Sequence, residues 1–451
     1  MRFDDTIAAI STPPGEGGVA MVRLSGRSAA SIAERVFKFR KSRGLPFTPW
    51  RVYLGDFVDM SGTPIDECLC TFFRGPRSYT AEDVVEFSLH GGGFLAAKAL
   101  DVLLNQGARL AEPGEFTRRA FVNGRIKLTE AEAVMDVIRA SSDVALRQAN
   151  EHLRGRLADF VTLQRESCLW LLALIEVSID FPEDDIPSAT KAQVADGLAQ
   201  TFRELCSMAD TVQAGRVTSE GLRVVLAGRP NAGKSSLLNA LAGEDRAIVT
   251  DVAGTTRDTI EVRINLDGLL LTLWDTAGLR EGSDLVEKLG VERAEKALEA
   301  ADIVLVLIDG AGELHPDDRK LLKRTSAGNR IVLATKADLP RQVALAPFDA
   351  LPVSVVNHEG LTELRIRLAR EARRLAGPEN ALVITNMRHH QALLRSMAHL
   401  EAAQQSLAGG WELEIVAIDV RRAVDALGTI TGDAIGEELA DNIFGRFCIG
   451  K

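Results

Sequence analysis

The stretch that most constrains this chain lies near its middle, where Gly228-Arg-Pro-Asn-Ala-Gly-Lys-Ser-Ser236 fits the pattern G-x-x-x-x-G-K-[ST]. Before it, Leu222 to Ala227 is a short apolar run that reads as a buried strand. After it, Ser236 to Gly243 reads as a helix stopped by glycine. Strand, glycine-rich loop and helix in that order make a phosphate cradle. Backbone N–H groups and the positive end of the helix dipole face the phosphates, Lys234 reaches the outer ones, and the Ser235 hydroxyl can hold Mg²⁺. The expected fold around it is a P-loop domain: a mostly parallel sheet with helices on both faces.

Downstream segments arrive where a guanine-nucleotide site needs them. Asp258 to Leu266 and Leu269 to Trp274 read as strands joined by Asp267-Gly268, a strong two-residue hairpin signal. The second strand ends in Asp275-Thr-Ala-Gly278, where an acidic residue can hold Mg²⁺ through water and Gly278 can offer its N–H to a γ-phosphate. Ile303 to Asp309 and Arg330 to Ala334 are unbroken apolar runs, as expected of central parallel strands covered on both faces. The latter leads into Thr335-Lys-Ala-Asp338. An Asp carboxylate there accepts from guanine N1–H and the 2-amino group, donors that adenine does not present. The segment is similar to the N-K-x-D pattern of G proteins, with Thr335 in place of the Asn and Asp338 keeping the discriminating contact.

Gly254-Thr-Thr-Arg-Asp258 supplies Thr256 as a second Mg²⁺ ligand. The residue after D-T-A-G is Leu279, whereas Ras-like chains carry a Gln there. A leucine cannot orient the attacking water, so another group must do so and neutralise transition-state charge. The candidates are Arg257, Arg280, Glu287, Asn231 or a cation.

The 451 residues are enough for two to four domains, and 46% hydrophobic with 26% charged residues is ordinary for a soluble globular protein. A net charge of −10 argues against a protein that coats nucleic acid non-specifically. Met1 to Ser11 has no secretory pattern. Leu169 to Phe181, the most apolar segment, is too short to span a membrane and carries Glu176 and Asp180. The five cysteines show no zinc-site spacing, which together with the rest points to a reducing cytoplasm.

Texture divides the chain into four parts: 1–118, 119–215, 216–378 and 379–451. The first alternates short strands (Ile7 to Ile10, Gly18 to Leu24, Val84 to Leu89) with helical stretches (Ser28 to Phe37, Phe94 to Gln106), an α+β pattern. The second is Ala-, Leu-, Glu- and Arg-rich at helical spacing, with Thr129 and Glu132 fitting a capping box. The fourth is helical again, with Met387 to Ala408 and Glu412 to Leu427 as candidates. Two helical blocks flanking an α/β segment suggest a helical domain with the P-loop domain inserted into it.

The ends of the chain carry a more specific resemblance. Asp5-Thr-Ile-Ala-Ala-Ile-Ser-Thr-Pro-Pro-Gly15, Arg23-Leu-Ser-Gly26 and Ser88-Leu-His-Gly-Gly92 resemble the N-terminal domain of the MnmE (TrmE) family of tRNA modification GTPases. So do Ala111-Glu-Pro-Gly-Glu-Phe-Thr-Arg-Arg-Ala-Phe121 and Leu128-Thr-Glu-Ala-Glu-Ala133. The chain closes on Phe447-Cys-Ile-Gly-Lys451, similar to that family's C-x-G-K terminus.

The resemblance implies an N-terminal domain that dimerises and binds a tetrahydrofolate derivative (5-formyl or 5,10-methylene) through Arg23, Glu86, Arg125 (where the family commonly has Lys) and Lys451. It implies action with the FAD-containing partner MnmG (GidA) to place a carboxymethylaminomethyl or aminomethyl group on C5 of a tRNA wobble uridine. Around GTP it implies a site of Asn231, Ala232, Gly233, Lys234, Ser235 and Ser236. Switch I contributes Thr250, Asp251, Val252, Ala253, Gly254, Thr255 and Thr256, and Asp275, Thr276, Ala277 and Gly278 follow. The base end is Thr335, Lys336, Ala337 and Asp338 with Ser354, Val355 and Val356.

A K⁺ ion held by Asn231, Thr250, Val252 and Thr255 would let two G domains face each other in place of an arginine finger. Glu287 would orient the water. Cys448, near Arg446 and Lys451, is either a nucleophile for C5 of uridine or a small apolar residue of a closing tail. The alternative from another class is a regulatory GTPase that binds ribosomal RNA during ribosome assembly. Residues 1–120 and the C-x-G-K tail favour the modification reading.

Overall fold

The computed structural model describes residues 4–40, 47–180, 188–244, 261–275, 295–326, 328–342, 348–378, 381–434 and 436–451. They form two compact units. One comprises Met1–Met135, His152–Leu198 and Ala398–Lys451, the other Asp136–Glu151 and Ala199–Met397.

The first unit is built on strands β1 (Ile7–Ile10), β2 (Val19–Ser25), β3 (Phe37–Phe39), β4 (Val52–Val58), β5 (Pro64–Phe73), β6 (Val84–His90) and β7 (Arg109–Leu110). They lie in the order β3-β4-β5-β6-β2-β1-β7. Neighbours are antiparallel except β1 with β7. Period-two alternation buries Val22 and Leu24 of β2 and Val85, Phe87 and Leu89 of β6, and helices Ala29–Val36 and Gly93–Asn105 supply the other half of that core. The sequence signals for β1, β2, β6 and both helices match these elements to within a residue or so. β3 and β4 carried no signal, because Gly55 and the mixed polarity of Val52–Val58 break the alternation.

Helix Glu115–Val122 follows, and Glu437–Phe444 packs on it. Leu128, Ala131, Met135, Phe444 and Phe447 share one apolar cluster, so the end of the chain is part of this unit's core. Arg156–Asp180 and Leu413–Thr431 lie along each other. No described helix is long and apolar enough to cross a membrane.

One local expectation, the capping box at residue 129, is corrected. The helical segment from residue 128 is three helices, Leu128–Arg139, Asp143–Leu153 and Arg156–Asp180. Ser142 Oγ accepts the Ala145 N–H at 3.1 Å and starts the second, and Gly155, at φ 87°, separates it from the third. The capping box of Thr129 and Glu132 does not form. Thr129 is buried inside the first turn, and the Lys127 N–H is instead taken by the Glu130 carboxylate at 3.2 Å.

The second unit holds β8 (Leu222–Gly228), β9 (Glu261–Leu266), β10 (Leu269–Asp275), β11 (Ile303–Asp309), β12 (Arg330–Thr335) and β13 (Leu351–Pro352) in the order β13-β12-β11-β8-β10-β9. All pairs are parallel except the β9–β10 hairpin. At its tip Asp267 (φ 51°) and Gly268 (φ 81°) are both left-handed, as a two-residue hairpin turn of this hand requires. One sheet face packs Leu222, Val224, Leu226, Leu305 and Leu307 against Leu237, Leu241, Leu364 and Leu368 of helices Lys234–Glu244 and Leu361–Ala376. The other packs Val304, Val306 and Ile308 against Leu322 of helix Pro316–Arg324. The apolar runs β8, β11 and β12 are therefore covered on both sides.

Candidate functional site

In the second unit β8 delivers the chain to Gly228, and the loop reverses through two left-handed residues, Asn231 (φ 63°) and Gly233 (φ 86°). Asn tolerates that region and Gly has no Cβ to clash, so the curl costs little. It ends at the N-terminus of helix Lys234–Glu244, beside a cavity of 810 Å³ lined by Asn231, Gly233, Lys234, Ser235, Ser236, Lys336, Asp338 and Val356 among others. Lys234 is buried, its Nζ donating to the carbonyls of Gly228 at 2.9 Å and Arg229 at 2.8 Å. Ser235 Oγ donates to Asp275 Oδ2 at 2.9 Å. A hydroxyl and a buried carboxylate in contact form an oxygen pair suited to Mg²⁺.

The other end of the cavity is set by the β12 terminus. Thr335 is buried and its hydroxyl donates to the Ile308 carbonyl at 3.1 Å, tying β12 to β11. Lys336 turns left-handed (φ 58°) and its Nζ pairs with Asp309 Oδ2 at 2.5 Å. Ala337 N–H donates to Val353 O at 3.2 Å. Asp338 Oδ1 accepts from the fully buried Ser354 hydroxyl at 2.6 Å. Val355 lines the same cavity, and Ala232 lies beneath the loop in the sheet core. The phosphate loop and the Thr335–Asp338 segment are thus brought to one cavity. The Asp309–Lys336 pair went unread in the sequence, where Asp309 is only the last letter of an apolar run.

Thr250, Asp251, Val252, Ala253, Gly254, Thr255, Thr256 and Arg257 lie outside the described residues, as do Thr276, Ala277, Gly278, Leu279, Arg280 and Glu287.

A second constellation forms in the first unit. Arg23 and Glu86 are directly opposed across β2 and β6. Arg23 Nε donates to Glu86 Oε1 at 2.8 Å, and Nη2 lies 2.8 Å from the same oxygen. The Arg23 guanidinium sits 5.2 Å from the Tyr79 ring centroid and 5.6 Å from that of Phe116. Arg125 lies 4.9 Å from the Tyr79 centroid.

The chain terminus closes on this group. Gly450 O accepts from Arg23 Nη1 at 3.4 Å and from Ser11 Oγ at 3.3 Å. A Cβ on Gly450 would fall 2.4 Å from the Ile10 carbonyl, and its φ is 90°, so only glycine lets the tail approach β1 this closely. Cys448 O accepts the N–H groups of Gly114 and Lys451, both at 3.3 Å, while the Cys448 side chain is exposed. The predicted residues Arg23, Glu86 and Arg125 and the Lys451 end of the chain thus gather in one place. Tyr79 and Phe116 were missed, since nothing in the letters of a loop and a helix says which rings will face which cations.

Beside this group Arg119 is fully buried among Asp5, Glu82 and Glu115, with Arg119 Nη2 to Asp5 Oδ1 at 2.6 Å. Burial pushes the Glu115 carboxyl up, but its bonds from Arg109, Arg119 and the Glu112 N–H outweigh that and hold it below the usual carboxylate range.

Residues 128–448 match the family described as the MnmE helical domain, and residues 6–125 match the GTP-binding protein TrmE N-terminus. The tRNA modification GTPase MnmE of Symbiobacterium thermophilum is 46% identical over 99% of this chain and 100% of its own length. That of Lactiplantibacillus plantarum is 43% identical over 99% and 98%. The chain belongs to the MnmE family of tRNA modification GTPases. The Streptococcus pneumoniae serotype 4 MnmE, 41% identical over 100% of this chain and 99% of its own, spans it equally. The likeness to MnmE therefore covers both constellations, the P-loop cavity and the Arg23–Glu86 group.

Proposed function

We propose that this chain hydrolyses GTP in the modification of tRNA, and that with an FAD-containing MnmG (GidA) partner it builds a carboxymethylaminomethyl or aminomethyl group on C5 of the wobble uridine. The one-carbon unit comes from a 5-formyl or 5,10-methylene tetrahydrofolate derivative. The observation that carries this reading is the pairing, in one chain, of a guanine-type P-loop cavity with the Arg23–Glu86–Arg125 group under the C-terminal tail.

In the nucleotide site Asp338 reads guanine, Lys234 faces the outer phosphates, and Ser235 with Thr256 and the Asp275 carboxylate hold Mg²⁺, which neutralises charge on the transferred phosphoryl group. Asn231, Thr250, Val252 and Thr255 hold K⁺ where two G domains of a homodimer meet. Glu287 orients water and Arg257 is the switch arginine closest in sequence to Thr256. In the folate site Arg23, Glu86, Arg125 and Lys451 hold the cofactor, with Cys448 beside them. The four-part division at residues 118, 215 and 378 and a cytoplasmic location belong to the same reading.

The deciding experiment is nucleoside analysis of tRNA from cells lacking the protein. Loss of C5 aminomethyl-type groups from wobble uridines is expected, and their full retention refutes the reading. In vitro, K⁺ is expected to stimulate GTP hydrolysis and Na⁺ not to. Equal rates in the two salts remove the cation from the mechanism and leave the switch arginines.

A further inference from the structure

Two guanidinium groups meet one aromatic ring in the first unit, yet they are held very differently. Arg23 is held within the fold: Glu86 faces its Nε and Nη2, and the Gly450 carbonyl takes one Nη1 donor, which leaves two of its five N–H groups for a ligand. It also lies over the rings of Tyr79 and Phe116, and its bond to Gly450 ties the C-terminal tail to β2. Arg125 is exposed, and no carboxylate among the described residues pairs with it. Its backbone is pinned by the bond from Arg125 N to Ala120 O at 2.9 Å, at the end of helix Glu115–Val122. What holds its guanidinium is the Tyr79 ring, 4.9 Å away.

That ring is itself rigidly placed. The Tyr79 hydroxyl is bonded to Thr117 Oγ1 at 2.8 Å, and its body packs on Ile7, Ala9, Ala111 and Phe116. A guanidinium stacked on a ring spends its π-face, while its five N–H donors lie in the plane and stay available for two-point capture of a carboxylate. A Lys at position 125 would offer a point charge without that planar fork.

We infer that Tyr79 is a positioning residue for the ligand's anionic end: it holds the Arg125 guanidinium edge-out so that Arg125 grips a carboxylate of the folate glutamate moiety, while Arg23 holds the tail that covers the site. The inference rests on the tetrahydrofolate reading above. It also gives the Arg at position 125 a reason of its own, since this ring–cation stack makes Arg and Lys unequal there.

The test measures binding of 5-formyltetrahydrofolate to the full-length chain by calorimetry. Each ring–cation contact is worth a factor of about three, so losing both in Tyr79→Leu weakens binding about tenfold. Tyr79→Phe, which keeps the ring and loses only the Thr117 bond, restores affinity to within about threefold of the original. Arg125→Leu alters an exposed side chain and tests the carboxylate grip without disturbing the core; about tenfold weakening or more is expected. Arg125→Lys weakens binding in the native background and has a smaller effect beside Tyr79→Leu, because the stack it disturbs is already gone.

Unchanged affinity in Tyr79→Leu, or strictly additive effects of the Tyr79 and Arg125 changes, overturns the positioning role. The same loss measured with a tetrahydropterin that lacks the glutamate moves the contact to the ring system and overturns the carboxylate assignment. If the native chain itself fails to bind 5-formyltetrahydrofolate, the folate reading fails, and that result is distinct from either of the others.

Discussion

Asp338→Asn is the sharpest perturbation the nucleotide site allows. One carboxylate oxygen of Asp338 already accepts from the buried Ser354 hydroxyl at 2.6 Å. A carboxylate has about four lone-pair sites, so enough remain for the guanine N1–H and 2-amino group. The amide keeps one oxygen and turns an NH₂ toward a second donor, so one charge-assisted bond is lost and a donor faces a donor. Each bond to a charged acceptor is worth about 1.5 to 3 kcal/mol, and a combined cost of about 3 to 4 kcal/mol weakens GTP binding roughly 100- to 1,000-fold. Xanthine carries an oxygen where guanine carries the 2-amino group, so the variant should prefer XTP over GTP.

Fluorescence titration with a labelled GTP analogue, competed with XTP, measures both effects, and unchanged circular dichroism of the variant excludes unfolding. Ser354→Ala leaves Asp338 in place but unbraced and should cost about tenfold for GTP without any gain for XTP. GTP affinity within threefold of the original in Asp338→Asn, or no reversal of preference, refutes the assignment of base reading to this carboxylate.

Other outcomes follow from the same geometry. Arg119→Met leaves Asp5, Glu82 and Glu115 without their buried cation, and a loss of about 3 to 5 kcal/mol is expected, read as faster hydrogen exchange in β1 and β2. Asp5 and Glu115 are both held below their ordinary values of 3.8 and 4.5, so they stabilise the fold above those values and that contribution is lost as pH falls through the lowered ones. A urea-midpoint series should therefore drop below about pH 4 in the native chain. The His90 imidazole is raised by its 2.7 Å bond to Asp66; its contribution is full below the ordinary 6.5 and fades as pH rises through the raised value, and an NMR titration should show Asp66→Asn bringing it down. Burial pushes the thiols of Cys68 and Cys168 up to about 12 and Cys70 well above its ordinary value, so iodoacetamide on the native chain should label exposed Cys448 and spare those three by mass spectrometry.

The features legible in the letters alone are local. The phosphate loop, the Asp267-Gly268 turn, the apolar runs of β8, β11 and β12 and the Thr335-Lys-Ala-Asp338 segment after β12 are each written within a few consecutive residues, because loop curl, turn hand and strand burial depend on near neighbours. The ends of the chain could likewise be matched to a family by their letters. The starts of helices Ala29–Val36 and Gly93–Asn105 were legible to within a residue although neither Ser28 nor Gly92 makes a side-chain capping bond. The Lys127–Glu130 bond displaced the Thr129–Glu132 expectation because Thr129 is buried within the first turn, next to Leu128, which packs in the cluster with Phe444 and Phe447.

The second site depended on tertiary structure. Strand register sets Arg23 opposite Glu86, a loop places the Tyr79 ring against two cations, and Gly450 arrives from the far end of the chain to accept from Arg23. None of these partners is within helical or strand spacing of another. The forces that join them, register, ring packing and a glycine able to press against the Ile10 carbonyl, act through space rather than along the chain.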